Sequence, residues 1–251
     1  MRNGTCWTPK YFINMKILTW NCNGAFRKKF EHITSSEADI YIIQECEYPS
    51  SSNDAHYKAW ASNYLWIGDT KNKGIGIFAS QDIKLTRLDW SNVYNDHTVK
   101  HFLPCNVNDQ FNILAVWLHQ NKSPTFGYIG QFWKYLQVNK VNMTDTIIAG
   151  DFNSNVRWDT WDRWWNHSDV VRELEEIGVV SAYHHFTKED QGKETQPTFY
   201  LHRNVNKPYH IDYCFAPREI VNSIESLEIG SYDEWINISD HVPMVLNFES
   251  R

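Results

Sequence analysis

The segment TIIAGDFNSN at positions 146–155 decides the fold class, because an apolar run gives way there to an acid and several amides. Residues 146–149 have the β-branched, apolar composition of a buried strand, and Gly150 ends it. Asp151 follows directly, and Asn153 comes two residues later. A short buried strand that leads straight into polar side chains is typical of a sheet whose rim carries a binding or catalytic site.

Working outward from this segment, the same arrangement recurs along the chain. The strand-like runs are 16–20, 39–43, 111–118, 210–215 and 242–248. Each is ended, interrupted or preceded by a polar residue, and these residues are Asn21, Glu45, His119, Asp212, Asp240 and His241. Because polar groups at strand ends can converge on one rim of a sheet, we expect these side chains to form a single site.

This set of residue types fits the hydrolysis of a phosphate ester. A phosphodiester is anionic, and a hard divalent cation bound by Glu45 and Asp240 would offset that charge. Asp151 is the candidate that orients and deprotonates water, with Asn153 donating a hydrogen bond to the water or the phosphate. His241 would stabilise the charge of the transition state, and Asp212 would fix its tautomer and raise its pKa.

Five motifs occur in an order that resembles the endonuclease/exonuclease/phosphatase superfamily, whose members include exonuclease III and pancreatic deoxyribonuclease. They are TWNCNG at 19–24, IIQE at 42–45, AGDFNSN at 149–155, HIDY at 210–213 and SDHVP at 239–243. The resemblance implies a four-layer α/β sandwich, two packed mixed β-sheets flanked by helices, and dependence on Mg²⁺ or Mn²⁺. Further segments resemble a compact bacterial branch whose substrate the resemblance does not fix.

The resemblance also implies a role for each site residue. Asn21 would position Asp151, the base that orients water, and Glu45 would be the principal metal ligand. The other implied roles are phosphate binding for Asn153, a pair formed by Asp212 and His241, a metal-side position for Asp240, and phosphate or leaving-group contact for His119. Many members carry an Asp where this chain has Asn23. An amide can ligate a metal but adds no charge, so we expect one tightly held Mg²⁺, with Asn23 as a weaker ligand.

The remaining elements predict one domain over residues 15–251, preceded by an extension at 1–14. A helix is expected over 127–142, and a second over 170–177 with Ser168 as its N-cap. Strand candidates lie at 64–67, 74–79, 83–88, 100–105, 179–183 and 198–201, and no repeat or low-complexity segment interrupts them. Many strands with few covering helices suit two packed sheets with helices outside them.

Composition limits the cell compartment and the kind of ligand. The 251 residues carry 24 Lys and Arg against 30 Asp and Glu, a formal net charge of −6, so the chain lacks the overall basic surface of a sequence-blind nucleic-acid coat protein. Its five cysteines, odd in number and without a CxxC pair, predict reduced thiols rather than disulfides or a zinc site. No run is long enough to cross a membrane and no secretory leader is evident, so we expect a cytoplasmic protein.

The tryptophan-rich segment RWDTWDRWWNH at 157–167 permits two interpretations. Trp158, Trp161 and Trp165 could share one face of a helical turn and pack on the sheet. Alternatively, the segment forms a wall beside the site, where Trp161 stacks on a base and Arg157 lies near phosphate. Lys73, in KNKGIG at 71–76, is a further candidate for contact with substrate, although a simple hairpin turn explains the glycines better.

Three functional hypotheses follow. The first is a nuclease that cuts DNA, or RNA, phosphodiesters. The second is a phosphatase or phosphodiesterase for a small soluble ester, which suits the acidic net charge. The third is a catalytically idle binding module, which the near-complete polar set disfavours because buried acids without a function are costly. The oligomeric state is left open.

Overall fold

The computed structural model describes residues 15–123 and 125–248, so the predicted extension at 1–14 lies outside the described residues. Strands and short helices alternate throughout. The strands are β1 Met15–Asn21, β2 Ile40–Cys46, β3 Tyr64–Thr70, β4 Lys73–Ala79, β5 Leu85–Arg87, β6 Val93–Tyr94, β7 His97–Thr98, β8 Phe102–Val107, β9 Phe111–Trp117, β10 Thr146–Asp151, β11 Val179–Ser181, β12 Phe199–Tyr200, β13 Pro208–Tyr209, β14 Asp212–Pro217, β15 Ile224–Ile229 and β16 Met244–Phe248. The α-helices are α1 Glu31–Thr34, α2 Ala55–Trp60, α3 Ile129–Met143, α4 His167–Glu176, α5 Ala182–Thr187, α6 Arg218–Val221 and α7 Tyr232–Trp235. Short 3-10 turns occur at Phe26–Lys28, Pro49–Ser51, Val156–Trp158 and Leu201–Arg203.

Two six-stranded sheets form the centre of the molecule. The first has the order β15-β16-β1-β2-β4-β3 and the second the order β11-β14-β10-β9-β8-β5. In each sheet two central strands run parallel, β1 with β2 and β9 with β10, while the other pairings are antiparallel. Both sheets are therefore mixed, as the sequence predicted.

The two sheets pack face to face, with a helical layer on each outer surface. Strand β1 shows why, since Ile17 belongs to the cluster between the sheets and Leu18 and Trp20 to the cluster outside the first sheet. Successive residues of a strand point to opposite faces, so a strand covered on both faces is apolar throughout. The outer cluster of the second sheet lies under α3 and α4. The predicted four-layer α/β sandwich is confirmed.

The structure corrects two predicted element boundaries. The N-cap of α4 is Asn166 rather than Ser168, because Asn166 and Asp169 form a reciprocal capping box. The predicted strand at 179–183 ends at Ser181, and α5 begins at Ala182. The predicted helix at 127–142 corresponds to α3, and the predicted strands at 100–105 and 111–118 correspond to β8 and β9.

The described cysteines, Cys22, Cys46, Cys105 and Cys214, are free and buried, whereas Cys6 lies outside the described residues. Burial raises the pKa of the Cys105 and Cys214 thiols to about 12, which keeps both protonated and unreactive. Within the described part of the chain, no helix combines the length and apolar character needed to span a bilayer.

Candidate active site

The central strands of the two sheets bring their polar ends together at one rim. Asn21 ends β1 in the first sheet, and Asp151 ends β10 in the second. The side-chain amide of Asn21 donates to Asp151 Oδ2 at 2.9 Å, although 130 residues separate them in the chain. Both side chains are buried. This hydrogen bond joins the two sheets at the site. It is also the contact that the predicted role of Asn21, positioning Asp151, requires.

The backbone around Asp151 explains the glycine before it and the asparagine after it. Gly150 has φ of +147°, and a Cβ there would lie 1.9 Å from the carbonyl oxygen of Val116 on the neighbouring strand. Asn153 has φ of +46°, which turns its backbone N–H toward Asp151 Oδ1 at 2.8 Å, while its side-chain amide donates to Oδ2 at 2.8 Å. The carboxylate of Asp151 is thus held by three hydrogen bonds from two asparagines.

Asp212 and His241 form the second half of this buried group. Asp212 pairs with Asp151 in the ladder between β10 and β14. His241 Nδ1 lies 2.9 Å from Asp212 Oδ2, and His241 Nε2 lies 4.0 Å from Asp151 Oδ2. The predicted Asp212–His241 pair is therefore present, and the free nitrogen of the imidazole faces the predicted base. We call Asn21, Asp151, Asp212 and His241 the catalytic cluster.

Burial and neighbouring charges raise the pKa values of both Asp151 and His241, for different reasons. Burial raises the pKa of Asp151 to about 7, helped by the Asp212 carboxylate and opposed by His241, Asn21 and the Asn153 N–H. Burial acts to lower the pKa of His241, but the Asp212 and Asp151 carboxylates outweigh it and raise the pKa to about 9. Near neutral pH the imidazole carries its proton, whereas Asp151 can both accept and release one.

Glu45 enters the site through an irregularity in β2. The ladder between β2 and β4 shifts register between Gln44 and Cys46, and Glu45 has φ of +63°. Such a bulge redirects a side chain from its strand's regular alternation. Glu45 Oε1 lies 3.4 Å from the Asn21 amide nitrogen, and Lys73 Nζ lies 2.6 Å from Glu45 Oε2. Glu45 and Lys73 are therefore neighbours of the catalytic cluster.

Asp240 and Asn23 lie on the exposed side of the same region. The Asn23 amide nitrogen donates to Asp240 Oδ1 at 2.9 Å, and the Asn23 backbone N–H donates to Asn21 Oδ1 at 3.0 Å. The chain thus links Asp240 to Glu45 through two asparagines. All of these groups offer oxygen, the donor that hard divalent cations prefer, and the Lys73 ammonium at Glu45 marks a position that favours positive charge. The residues present fit the predicted divalent cation.

A closer trio, Asp151, Asp212 and His241, offers three possible ligand atoms within 4.8 Å of one another. Asp212 and His241 are, however, already joined by a hydrogen bond of 2.9 Å, which uses Nδ1 of the imidazole. Proton transfer suits this trio better than ion binding. The Glu45 side of the site therefore has the oxygen donors that better fit a cation.

His119 lies next to the site and contacts a second histidine that the sequence did not single out. Its ring centroid is 4.8 Å from that of His101 and 3.9 Å from that of Trp117. His101 Nε2 lies 3.7 Å from Asp69 Oδ2. Burial lowers the pKa of His119 and brings that of His101 to about 4. Both rings are thus neutral at pH 7.

The tryptophan loop, which we define as residues 156–165, is not a helical face. Trp161 is 98% exposed, Trp158 is 46% exposed, and Trp165 is buried against Phe126 with ring centroids 4.2 Å apart. The interpretation that the three tryptophans pack together on the sheet is wrong, since Trp161 is in solvent, Trp158 contacts Tyr209 with ring centroids 5.4 Å apart, and the helix α4 begins after the loop. Arg157, in the 3-10 turn, is also exposed. Neither Arg157 nor Trp161 touches the catalytic cluster through any contact among the described residues.

Three residues that support the cluster were missed from the sequence. Ser239 Oγ donates to the backbone carbonyl of Asn21 at 2.8 Å and accepts from the His241 N–H at 3.1 Å. Thr198 Oγ1 accepts from the Asp212 N–H at 3.0 Å. The buried Glu47 accepts from the N–H of Phe26 at 2.7 Å and so holds the loop that carries Asn23. Ser239 lies inside the SDHVP motif and could have been identified from it, whereas no sequence motif marks Thr198 or Glu47.

Comparison with known proteins agrees with this geometry. A model of the Endonuclease/Exonuclease/phosphatase family matches residues 18–241, a range that includes every member of the catalytic cluster. A search of the curated proteins gave no match.

Among solved structures, the chain is similar to the 3′ phosphatase NExo from Neisseria bound to product DNA hairpin, with a TM-score of 0.71 and 17% identity, over 94% of this chain and 100% of that one. The 3′-5′ exonuclease NExo from Neisseria meningitidis gives a TM-score of 0.70 at 17% identity with the same coverage. An AP endonuclease from Archaeoglobus fulgidus gives 0.65 at 17% identity, again over 94% and 100% of the two chains. At this level of identity the likeness shows a shared fold.

Proposed function

Because the chain belongs to the endonuclease/exonuclease/phosphatase family and is a phosphoester-hydrolysing enzyme, we propose that it hydrolyses phosphodiester bonds of nucleic acid, with DNA as the first candidate and RNA as the second. The observation that carries the proposal is the catalytic cluster, in which Asp151 and His241 face each other in a buried site with both pKa values raised, to about 7 and about 9. The solved relatives named above include proteins that act on DNA, which supports a polymer substrate.

In this proposal a divalent cation, Mg²⁺ or Mn²⁺, would be held by Glu45 and Asp240 with Asn23 beside them. When bound, the cation supplies Lewis-acid neutralisation of the phosphate's negative charge. One ion fits the donor set better than two, because Asn23 brings an amide where a second carboxylate would be needed. Isothermal titration with Mg²⁺ checks this, and two tight sites would contradict it.

The chain's own residues would perform the remaining steps. Asp151 takes a proton from the attacking water, and the hydrogen bonds from Asn21 and Asn153 fix the direction of its carboxylate. The protonated His241 donates from Nε2 to a phosphate oxygen as negative charge builds, while Asp212 holds the ring through Nδ1. His119 serves the side of the leaving group.

Substrate contacts outside the catalytic cluster follow from what lies exposed around it. Trp158, Trp161 and Trp164 of the tryptophan loop are 46%, 98% and 61% exposed, directly after the Asp151–Asn155 segment. Exposed aromatic rings beside a phosphate site are suited to stacking on bases. We assign Trp161 and Arg157 to the nucleic-acid surface and Lys73 to the phosphate next to Glu45.

The net charge of −6 favours a second candidate, hydrolysis of a small soluble phosphate ester, because a polymer substrate gains more from a basic surface. A substrate panel separates the two. Purified protein with Mg²⁺ or Mn²⁺ is incubated with single-stranded DNA, duplex DNA, abasic duplex, 3′-phosphorylated DNA, RNA and small phosphate mono- and diesters. We expect cleavage of a nucleic acid. Turnover of small esters alone would select the second candidate.

The matched variants for this panel are Asp151→Asn and Asp109→Asn. Asp151→Asn removes the proposed base and should lower kcat by about 10³-fold. Asp109 is exposed in the turn between β8 and β9, where it pairs with Lys84, so its substitution should leave kcat unchanged. Equal activity of the two variants would contradict the proposal.

A further inference from the structure

A pocket of about 660 Å³ opens beside residues 121–123 and 125–126, which follow His119 in the chain. We call it the lysine pocket, and its walls include Tyr94, His97, Lys122, Phe126, Lys134 and Trp164. Its shape is fixed by hydrogen bonds, since the Asn121 amide donates to Gln131 Oε1 at 2.9 Å and the Gln131 amide donates to the carbonyl of Phe126. A volume of this size accommodates a nucleotide-sized ligand.

Lys134 is the feature of this pocket that calls for a ligand. It is 7% exposed, and its ammonium lies 4.5 Å from the centre of the Phe126 ring. Among residues 15–123 and 125–248 it forms no ion pair, whereas Lys140, further along the same helix, pairs with Glu173 and Glu176. Its aliphatic stem is buried, while Lys134 lines the pocket and its ammonium has no anionic partner among the described residues. An anion that enters the pocket would gain a charge-assisted contact with this ammonium.

The charge of the lining points the same way. Lys122 and Lys134 line the pocket, and no Asp or Glu does so among the described residues. The chain as a whole carries six more acidic than basic residues, so this lining reverses the average. A local positive surface on an acidic protein favours an anionic ligand at that place over others.

Aromatic rings supply the other half of a nucleotide site. Trp164 is 61% exposed at the pocket wall, with its ring centroid 6.4 Å from that of Phe126. Trp133, another wall residue, is held in place by a hydrogen bond from its Nε1 to Glu173 Oε1 at 3.0 Å and by an edge contact with Tyr94. A flat, partly exposed ring next to a cation fits a base joined to a phosphate.

Both walls of the pocket are formed by segments that follow active-site residues in the chain. The first, residues 121–123 and 125–126, begins two residues after His119, whose carbonyl accepts a hydrogen bond from the Tyr128 N–H at 2.8 Å. Trp164 belongs to the tryptophan loop, which follows Asp151 and Asn153. We propose that the lysine pocket binds one nucleotide of the substrate strand, with its phosphate on Lys134 and its base on Trp164. This inference rests on the proposed function and adds a subsite away from the reacting phosphate.

The test compares Lys134→Met with Lys58→Met, which removes the same charge from an exposed position on α2. In full-length protein carrying Asp151→Asn, with Mg²⁺, binding of a labelled eight-nucleotide single strand is measured by fluorescence anisotropy across a salt series. We expect Lys134→Met to weaken binding about tenfold. The slope of log K against log salt should fall by about 0.7, the value for one phosphate contact on a single strand. Lys58→Met should change affinity less than twofold.

A second variant and a second substrate keep the result interpretable. Trp164→Ala changes an exposed side chain and should weaken the strand about threefold or more through lost stacking. In protein with Asp151 intact, Lys134→Met should raise KM for the strand, whereas the exposed control Lys58→Met should leave turnover of both the strand and a small phosphodiester unchanged. If wild-type protein turns over no phosphoester, the proposed function fails, whereas normal turnover with unaltered strand affinity in Lys134→Met overturns only the pocket.

A free mononucleotide carries the same chemistry as a nucleotide in a strand, so a competition arm distinguishes the two sources. If deoxyadenosine monophosphate binds with an affinity that Lys134→Met reduces, but the strand does not compete for it, the pocket holds a free nucleotide and the assignment to the substrate strand is overturned. If the strand displaces the mononucleotide, the assignment stands. Equal losses for Lys58→Met and Lys134→Met would show general charge attraction and would also overturn it.

Discussion

Two buried clusters of polar side chains lie beside β14, and they differ in the number of carboxylates near their imidazole rings. In the catalytic cluster, His241 has the Asp212 carboxylate on one nitrogen and the Asp151 carboxylate beyond the other. The second group, which we call the histidine cluster, consists of His167, His184, His210 and Glu194. Its rings surround Tyr213, the residue after Asp212.

In the histidine cluster the carboxylate reaches only one ring. Glu194 Oε1 accepts from His184 Nε2 at 3.1 Å, while Nε2 of His167 and Nε2 of His210 are buried without a hydrogen-bond partner among the described residues. Burial therefore lowers the pKa of His210 and brings that of His167 to about 3, whereas the paired His241 is raised to about 9. Burial alone keeps an imidazole neutral, and a carboxylate on each side makes it a cation.

The largest expected effect comes from removing the carboxylate that makes this difference. Asp212→Asn should lower kcat by about 10³-fold, because His241 then loses both its orientation and the main source of its raised pKa. The pKa of His241, measured by NMR of the imidazole nitrogens in metal-free protein, should fall from about 9 toward or below the ordinary value near 6.5.

The control for this prediction is again Asp109→Asn, with kcat and the imidazole titration measured on both variants. An Asp212→Asn protein that keeps a tenth or more of the wild-type kcat would show that the pair is structural. In that case the histidines of the two clusters would differ in pKa, but the difference would not contribute to catalysis.

The next effect should appear in stability rather than in rate. Glu194 accepts hydrogen bonds from His184, from the Gly192 N–H at 2.8 Å and from the Asn155 amide at 3.2 Å, and its side chain is 3% exposed. Glu194→Gln should lower the free energy of unfolding by about 2 kcal/mol, the scale of hydrogen bonds to a charged group. Urea titration at pH 7 measures it.

The same Glu194→Gln protein should retain kcat within a few fold of wild type, since no member of the catalytic cluster bonds to Glu194 through any contact in the described part of the chain. Asp190→Asn, an exposed substitution in the same loop, provides the control for stability. A loss of kcat comparable to that of Asp212→Asn would mean that the two clusters act as one unit.

The sequence predicted the catalytic cluster but not the histidine cluster. The apolar strands ended by Asn21 and Asp151 predicted convergence on one rim. The two strands belong to different sheets, and the packing of the sheets brings their ends together. His184 and His210 were too scattered along the chain to suggest a shared site, yet their ring centroids lie 6.1 Å apart. Only the fold brings them together, since α5 and β14 approach each other through long-range packing.

The sequence was also weak where backbone geometry or exposure decides the outcome. The bulge that aims Glu45 depends on the register between β2 and β4, which no local motif records. The spacing of Trp158, Trp161 and Trp165 suited a helical face, but the chain turns there instead and leaves Trp161 in solvent. The burial of Lys134 was likewise not predicted, because a lysine in a helix is normally solvated.

The last prediction isolates the histidine cluster and concerns how the free energy of unfolding depends on pH. The folded protein keeps His167 neutral down to about pH 3, whereas the unfolded chain binds a proton there below about pH 6.5. Between these values the unfolded state holds more protons, so stability must fall as the pH falls. From pH 7 to pH 5 His167 alone should cost about 2 kcal/mol. His167→Gln should reduce that pH-dependent loss by this amount in urea titrations at the two pH values, while the exposed His32→Gln should not. An unchanged pH dependence in His167→Gln would mean that the imidazole already finds a partner for its proton, and the contrast with His241 would then disappear.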